Sequence, residues 1–152
     1  ELKNAEEEPL KFLRFYLNGD PQLIFPLYEL IFNHASAVEL KPKEPPINPA
    51  AMMTMTNFQA KLPDPVILTK DVIKQVGFEE NEKILPYSKR SFSGYRLLSE
   101  YFSFPYKFMF FDIHGLEQAA SKKFGSHFDI LIHLKDIVPP KAPVTIDTFK
   151  LG

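Results

Sequence analysis

The sequence contains no cysteine and no tryptophan, and only six of its 152 residues are glycine. The lack of cysteine excludes disulfide bonds, thiolate catalysis and cysteine-ligated zinc sites, and it is compatible with a reducing compartment. No charge of one sign dominates, because 18 basic and 19 acidic residues give a formal net charge of −1. The chain therefore offers no overall field that would attract nucleic acid or an acidic membrane surface.

Long apolar runs are also missing. The longest strongly apolar runs have about six residues, whereas a membrane-spanning helix needs ~20. No secretory signal is visible, so we expect no membrane insertion. The sequence begins Glu-Leu-Lys rather than with Met, and it ends at Lys150-Leu151-Gly152 in the middle of a sequence pattern. We therefore interpret the chain as an internal fragment of a longer protein.

Phenylalanine and proline are abundant, with 15 and 14 residues. Apolar residues make up 45% of the chain, which is typical of a globular protein rather than a disordered one. This length suits one domain and can bury a substantial core. We therefore predict a single domain over residues 1–152, with a core rich in aromatic rings and with many stiff turns.

The densest aromatic stretch is Ile84–Leu116. We predict a helix over about Gly94–Phe102 that is stopped by Pro105, followed by a strand over Phe108–Ile113. This helix is too apolar all round to have a single core face. Its apolar side chains fall on two neighbouring sides, with Tyr95, Leu98 and Phe102 on one and Leu97 and Tyr101 on the other.

A second helix is predicted over about Asp20–His34, with Asp20 as the N-cap and Pro21 in the first turn. Pro26 should kink this helix or shift its start. Together the elements predict an α+β fold with two main helices and a mixed, mostly antiparallel sheet of about five to seven strands. The other predicted elements are strands at Phe12–Leu17, Ala37–Leu40, Val66–Thr69, Phe128–Leu134 and Val144–Leu151, a short helix at Asp71–Val76, and a proline-rich loop at Lys41–Ala51.

The search for catalytic chemistry gives mostly negative results. His127 and His133 lie on or beside one strand, and surface histidines are favoured there over a metal site. Ser126, His127 and Asp129 have the residue types of a catalytic triad, but neighbouring strand positions point to opposite faces. No glycine-rich phosphate-binding motif is present. We predict no catalytic residue, cofactor or metal, and we interpret the acids at 79, 80 and 82 as solvated.

One group of basic and aromatic residues stands out in the densest stretch. Tyr and Arg commonly anchor protein interfaces, which favours a protein contact over the stacking of single-stranded nucleic acid. Packing of the rings in the core is the main alternative. We predict that some of Tyr95, Arg96, Tyr101 and Phe104 are exposed to solvent. The full set of interface candidates is Tyr95, Arg96, Tyr101, Phe104, Lys89 and Arg90.

Three stretches resemble the TssF family (also called VasA or ImpG), a baseplate subunit of bacterial type VI secretion systems. Ser91–Leu116, SFSGYRLLSEYFSFPYKFMFFDIHGL, is similar to the family pattern RSFPGYRLLxEYFAFPEKFLFFDLxGL. Leu13–His34 and Val76–Tyr87 resemble its LRFYLxGD…LYELLxNH and VGFxxDExLLPY segments. The similarity is collinear over most of the chain and is weakest over Lys41–Asp71.

This resemblance implies a structural wedge component with no enzymatic activity, acting by protein–protein scaffolding. It implies contacts with TssG, TssK, TssE and a second TssF copy, in a cytoplasmic assembly that belongs to a membrane-docked secretion machine. The alternative from the residues alone is a soluble α+β enzyme domain with an unidentified active site. A pocket with convergent polar groups and perturbed titrations would favour that alternative.

Overall fold

The structure is a computed structural model that describes residues 10–43, 62–86, 88, 90, 92–124, 127–135 and 143–152. Several predictions fall outside these ranges. They include most of the proline-rich loop, from residue 44 onward, and the candidate residues Lys89 and Ser126.

Seven strands and three α-helices make up the described ranges, which confirms the α+β prediction. The strands are β1 (Phe12–Leu17), β2 (Ala35–Pro42), β3 (Val66–Thr69), β4 (Ile73–Gln75), β5 (Phe110–His114), β6 (Phe128–Leu134) and β7 (Phe149–Leu151). The helices are α1 (Pro21–Glu29), α2 (Ser93–Ser103) and α3 (Glu117–Ser121). Shorter pieces are a π-helical turn at Leu30–His34 and 3₁₀ turns at Lys70–Val72, Glu80–Glu82, Pro105–Met109 and Ile146–Thr148.

The strands divide between two sheets, whereas a single sheet was expected. The first sheet has the order β4-β5-β1-β7 and the second has the order β3-β2-β6. Every pairing among these strands is antiparallel. The chain leaves β1 through α1 and enters the second sheet at β2, so this βαβ unit does not form a parallel crossover within one sheet.

The start of α1 follows from its first residues. Asp20 is the N-cap, and its side chain accepts a hydrogen bond of 2.8 Å from the backbone N–H of Gln22. Pro21 follows, where its missing N–H has no cost. Pro26 lies inside the helix without ending it. The N–H that Pro26 lacks would have bonded the carbonyl of Gln22, which is in the exposed first turn and can be solvated.

Three predicted elements differ from the structure. The segment predicted as a helix at Asp71–Val76 is a 3₁₀ turn followed by β4, because Ile73–Gln75 pairs with β5. The strand predicted at Phe108–Ile113 begins two residues later, at Phe110, after a 3₁₀ turn. Only Phe149–Leu151 of the predicted last strand is extended and paired. In each case long-range pairing decides the conformation, and a short window of sequence does not contain it.

Between the two sheets lies an apolar core that includes the inner face of α1. Phe111 of β5 is 1% exposed, and its ring contacts those of Phe15, Phe32 and Phe149 at centroid distances of 5.5, 6.4 and 6.4 Å. Burying one such ring stabilises the fold by roughly 1.5–3 kcal/mol. None of the helices in the described ranges is long and apolar enough to cross a membrane.

Candidate functional site

Helix α2 has its polar face inward and its apolar face outward. Its buried residues are Arg96 and Glu100, which lie one turn apart. Tyr95 and Phe102 on the opposite side are 64% and 80% exposed. A surface helix of a soluble protein normally has the reverse arrangement. The exposed apolar side of α2 is therefore the feature that most needs an explanation.

The buried side of α2 is held by a group of ion pairs around Glu100. Its Oε1 accepts hydrogen bonds from the backbone N–H groups of Ile84 and Leu85 at 3.0 and 3.1 Å. Arg96 Nη1 donates to Glu100 Oε2 at 3.3 Å, and Lys107 Nζ donates to the same oxygen. Because every one of these partners meets the carboxylate, α2 is fixed against the segment before it and the turn after it.

The ionisation of Glu100 follows from this environment. Burial by itself raises the pKa of the Glu100 carboxyl. The hydrogen bonds from Lys107 and from the amides of Leu85 and Ile84, with the charge of Lys107, outweigh burial and lower the pKa to about 2. Glu100 is therefore a carboxylate near neutral pH, and it offers no proton for acid catalysis.

Along the outer side of α2 and the residues that flank it, large rings are exposed. Phe92 meets Tyr95 edge-on at 5.9 Å, and Tyr101 meets Phe102 at 5.7 Å. We call this region the α2 aromatic surface. Its exposed members are Phe92, Tyr95, Leu98, Tyr101, Phe102, Phe104 and Tyr106.

A groove of about 910 Å³ lies beside the α2 aromatic surface and shares residues with it. Its floor is apolar and includes Phe108, which packs against Phe78 at 5.0 Å. Polar groups from Glu29, Asn33 and Gln75 also line it. The remaining lining residues are Phe25, Tyr28, Phe32, Phe92, Gly94, Tyr95, Leu97, Leu98, Tyr101 and Met109.

The candidate residues from the sequence have different environments. Tyr95, Tyr101 and Phe104 are exposed, as expected for part of the set. Arg96 is 2% exposed and is ion-paired, so its guanidinium positions α2 and does not face solvent. Arg90 is exposed just before the helix, and Lys89 lies outside the described residues. Arg96 is therefore not part of the exposed aromatic surface.

Sequence reasoning missed the contribution of Phe92 and Phe102 to this site. Phe102 was placed on the correct side of the helix, but the inward direction of Arg96 and Glu100 was not foreseen. The only sequence signal is the spacing of those two charges at i and i+4, and the same spacing is common on solvated helix faces. The spacing alone therefore does not say which side of the helix is buried.

Of the acids interpreted as solvated, Glu79 and Glu80 are exposed and Glu82 is half-buried, and they also have structural partners. Glu82 Oε2 accepts hydrogen bonds from the N–H groups of Gly77 and Glu79 at 2.7 and 3.1 Å. Glu80 Oε2 lies 3.7 Å from Arg96 Nη2. These carboxylates hold the turn that precedes α2, because they compensate free amides and a buried cation.

Gly77 in this turn has a conformation that favours glycine. Its φ is +100°, and a Cβ there would lie 3.1 Å from the carbonyl oxygen of Lys107. The turn therefore packs directly against the backbone that follows α2.

Among the residues that the structure describes, the other polar candidates do not assemble a reaction centre. His133 Nε2 lies 2.8 Å from Glu39 Oε2 on the outer face of the second sheet. No group of three or more metal-ligating side chains is present in the described ranges. The groove beside α2 is mostly apolar, and the strongly perturbed Glu100 is buried and fully paired rather than open to it.

These features are those of an assembly domain, a domain that binds other proteins through an exposed apolar surface. Buried ion pairs hold α2 so that its apolar side faces outward. The chain belongs to the TssF family of type VI secretion systems, because the family model described as "Type VI secretion system, TssF" matches residues 2–152.

Two relatives extend this comparison. The type VI secretion system component TssF1 of Pseudomonas aeruginosa is 28% identical over 123 residues, which are 81% of this chain and 17% of that protein. A solved structure of the TssK-TssF-TssG baseplate subcomplex contains a chain that matches with a TM-score of 0.65 and 26% identity. That match covers 93% of this chain and 24% of the solved chain. This chain thus spans about a quarter or less of the relatives that it matches.

Proposed function

We propose that this chain is a structural part of a type VI secretion baseplate, and that the α2 aromatic surface and its groove bind another baseplate subunit. The observation that carries the proposal is the reversed polarity of α2. An apolar helix face in water has a free-energy cost that a partner removes by covering it.

Several features of the surface support binding to protein. Tyr and Phe bury large areas with little loss of side-chain freedom, and they are frequent at interface centres. The groove is flanked by polar groups, which is the usual composition of an interface rim. The ion pairs around Glu100 also keep α2 in a fixed orientation, so little ordering is needed when a partner binds.

The partners that we propose come from two sources. TssG and TssK accompany TssF in the baseplate subcomplex that contains the matching chain. TssE and a second TssF copy are implied by the family resemblance. We propose a cytoplasmic location in a membrane-docked machine on the same basis. A role without catalysis follows from this proposal, since scaffolding needs only complementary surfaces.

The experiment is a co-expression pull-down of this chain with TssG from the same source. We expect retention at high salt, because an apolar interface is little affected by ionic screening. Replacing Tyr95 and Phe102 together with Ser should lower retention at least about tenfold, since interface anchors each contribute about 2 kcal/mol or more. The matched control is Ile67→Ser on β3, which removes a side chain that is 74% exposed and lies outside this surface.

Two results would contradict the proposal. Unchanged retention of the Tyr95/Phe102 variant would place the TssG interface elsewhere on the chain. Retention that disappears at moderate salt would indicate an electrostatic contact rather than an apolar one. Circular dichroism of each variant confirms that the loss of binding does not come from unfolding.

A further inference from the structure

Strand β6 forms an open edge of the second sheet. Within the described ranges it pairs only with β2, and its seven residues make it the longest edge strand of either sheet. Its sequence FDILIHL contains none of the proline, lysine or arginine residues that commonly protect such edges. An unprotected edge of this length can pair with another strand.

The backbone groups that point to the open edge can be identified. The carbonyl of His127 accepts a hydrogen bond from Lys43 N–H at 3.1 Å, and the carbonyl of His133 accepts one from the Ser36 hydroxyl at 3.1 Å. The odd-numbered residues of β6 thus direct their backbone groups toward β2. Since these directions alternate along a strand, Ile130 and Ile132 direct theirs toward the open edge.

The outer face of β6 carries groups of complementary charge type at equal distances on either side of Leu131. An acid, Asp129, lies two residues before it, and a base, His133, lies two residues after it. Both are exposed on the outer face, as is Leu131. The inner face, from Phe128 to Leu134, is only half buried and lines an apolar cleft of about 580 Å³ between the sheets.

We propose that β6 pairs with β6 of a second copy of this chain, antiparallel and centred on Leu131. In this register Asp129 lies opposite His133 of the second copy, and His133 lies opposite its Asp129. Ile130 and Ile132 exchange backbone hydrogen bonds across the pair. The centre is then a non-hydrogen-bonded position, where opposite side chains are closest.

The charges beside β6 favour a second copy of this chain as the partner, because the complementary side chains include residues on or next to the neighbouring strand β2. Glu39 of β2 lies 2.8 Å from His133, and Lys43, the residue after β2, lies 3.3 Å from Asp129. When two copies pair, these contacts join into one row across the four strands. The row runs from Glu39 and His133 of one copy to Asp129 and Lys43 of the other, so acidic and basic groups alternate. An in-register parallel pair would instead place like residues opposite each other. The family resemblance already implies a second TssF copy as a partner. The inference adds the surface through which two copies meet, and it does not depend on the α2 aromatic surface.

A cross-linking experiment tests the register. The native chain has no cysteine, so Leu131→Cys introduces a single thiol. Opposite Cα atoms at a non-hydrogen-bonded position are about 4.5 Å apart, within the range that a disulfide spans. With oxidised glutathione we expect Leu131→Cys to form covalent dimers at least about tenfold faster than Ile67→Cys, whose thiol lies on the outer face of the opposite edge strand. Equal rates for the two variants would overturn the proposal.

Sedimentation equilibrium tests the association without a cross-link. We expect the average mass of the unmodified chain to rise with concentration toward a weak dimer, since two edge strands form a small interface. Leu131→Asp places two carboxylates opposite each other and should abolish this rise, whereas Ile67→Asp should not. A chain that stays monomeric, or a rise abolished by Phe102→Ser and not by Leu131→Asp, would overturn the proposal. The second outcome would assign self-association to the α2 aromatic surface.

Discussion

The Glu100 carboxylate joins three parts of the chain at one point. It accepts hydrogen bonds from the amides of Ile84 and Leu85, and it pairs with Arg96 and Lys107. Because its side chain is fully buried, water does not replace a missing partner. A buried pair of this kind is often no better than apolar packing, but removing one member leaves the others with uncompensated charge.

Replacing Glu100 with Gln should therefore destabilise the chain strongly. The amide cannot compensate Arg96 and Lys107, so we expect the free energy of unfolding to fall by about 3–5 kcal/mol. Urea unfolding followed by circular dichroism measures this change. The matched control is Glu117→Gln in the exposed first turn of α3, which should change stability by less than about 0.5 kcal/mol. Similar values for both variants would show that the buried carboxylate has no special role.

The stability of the native chain and of the Glu100→Gln variant can also be compared as a function of pH, and the direction of the change can be predicted. The pKa of Glu100 is lowered from 4.5 to about 2 in the folded chain, so ionised Glu100 stabilises the fold at every pH above 4.5. This stabilisation decreases as pH falls from 4.5 and is lost as pH passes through about 2. The stability difference between native chain and Glu100→Gln should therefore be constant near neutrality and shrink in acid. A difference that grows in acid would contradict this ionisation.

At the scale of secondary-structure elements, Arg14 links two strands and a turn. Its Nε and Nη2 donate to the two carboxylate oxygens of Asp112 at 2.7 and 2.8 Å, across the pairing of β1 with β5. Nη2 also lies 4.0 Å from Glu82 Oε1 in the turn before α2. The hydrogen bond that Arg14 donates to Asp112, together with the charges of Asp112 and Glu82, outweighs desolvation and raises the pKa of Arg14. The first sheet and the turn are thus held in a fixed relation.

Arg14→Lys should lower stability although it conserves the charge. A lysine cannot donate two parallel hydrogen bonds to one carboxylate, so we expect a loss of about 1–2 kcal/mol in the free energy of unfolding. Thermal and urea unfolding measure it. Arg90→Lys is the control, because Arg90 is exposed and no ion pair of its guanidinium is found within the described ranges. A stability loss of equal size in both variants would show that the geometry at Asp112 is unimportant.

Elements with strong local signals could be predicted from the sequence. The Asp20-Pro21 start defines α1, and alternation defines β1 and β6 with their observed bounds. The three-residue strand β4 could not be predicted, because it is too short for a period and exists through pairing with β5. The predicted last strand, Val144–Leu151, is confirmed only over β7, because pairing with β1 fixes where the strand begins. The division into two sheets also depends on which distant strands meet, and local patterns do not specify that.

The candidate site was predictable only in part, for a related reason. The helix and its aromatic excess follow from local sequence, and so does the expectation of exposed rings. The inward pair of Arg96 and Glu100 depends on Lys107 and on the amides near Ile84, which only the folded chain brings together. The reversed polarity of α2 is thus determined by tertiary contacts, even though Arg96 and Glu100 are close together in the sequence.

At the scale of the whole molecule, the core between the sheets is apolar, whereas around α2 charged groups lie inside and aromatic rings lie outside. The ion pairs of Glu100 and Arg14 are buried or partly buried, and they lie on either side of the turn that precedes α2. The net charge of −1 gives little repulsion between copies. An exposed aromatic surface on a nearly neutral chain should therefore limit the solubility of this chain when no partner covers it.

We expect Leu98→Glu combined with Phe102→Glu to raise solubility several-fold, while the free energy of unfolding changes by less than about 0.5 kcal/mol per site. Both side chains are more than half exposed, so little packing is lost. Precipitation by ammonium sulfate and urea unfolding measure the two quantities. The control is Ile67→Glu with Ile146→Glu, which adds the same charge at exposed positions outside the α2 aromatic surface. If both pairs raise solubility equally, net charge alone is responsible; a larger rise for the α2 pair shows that this contiguous surface drives association.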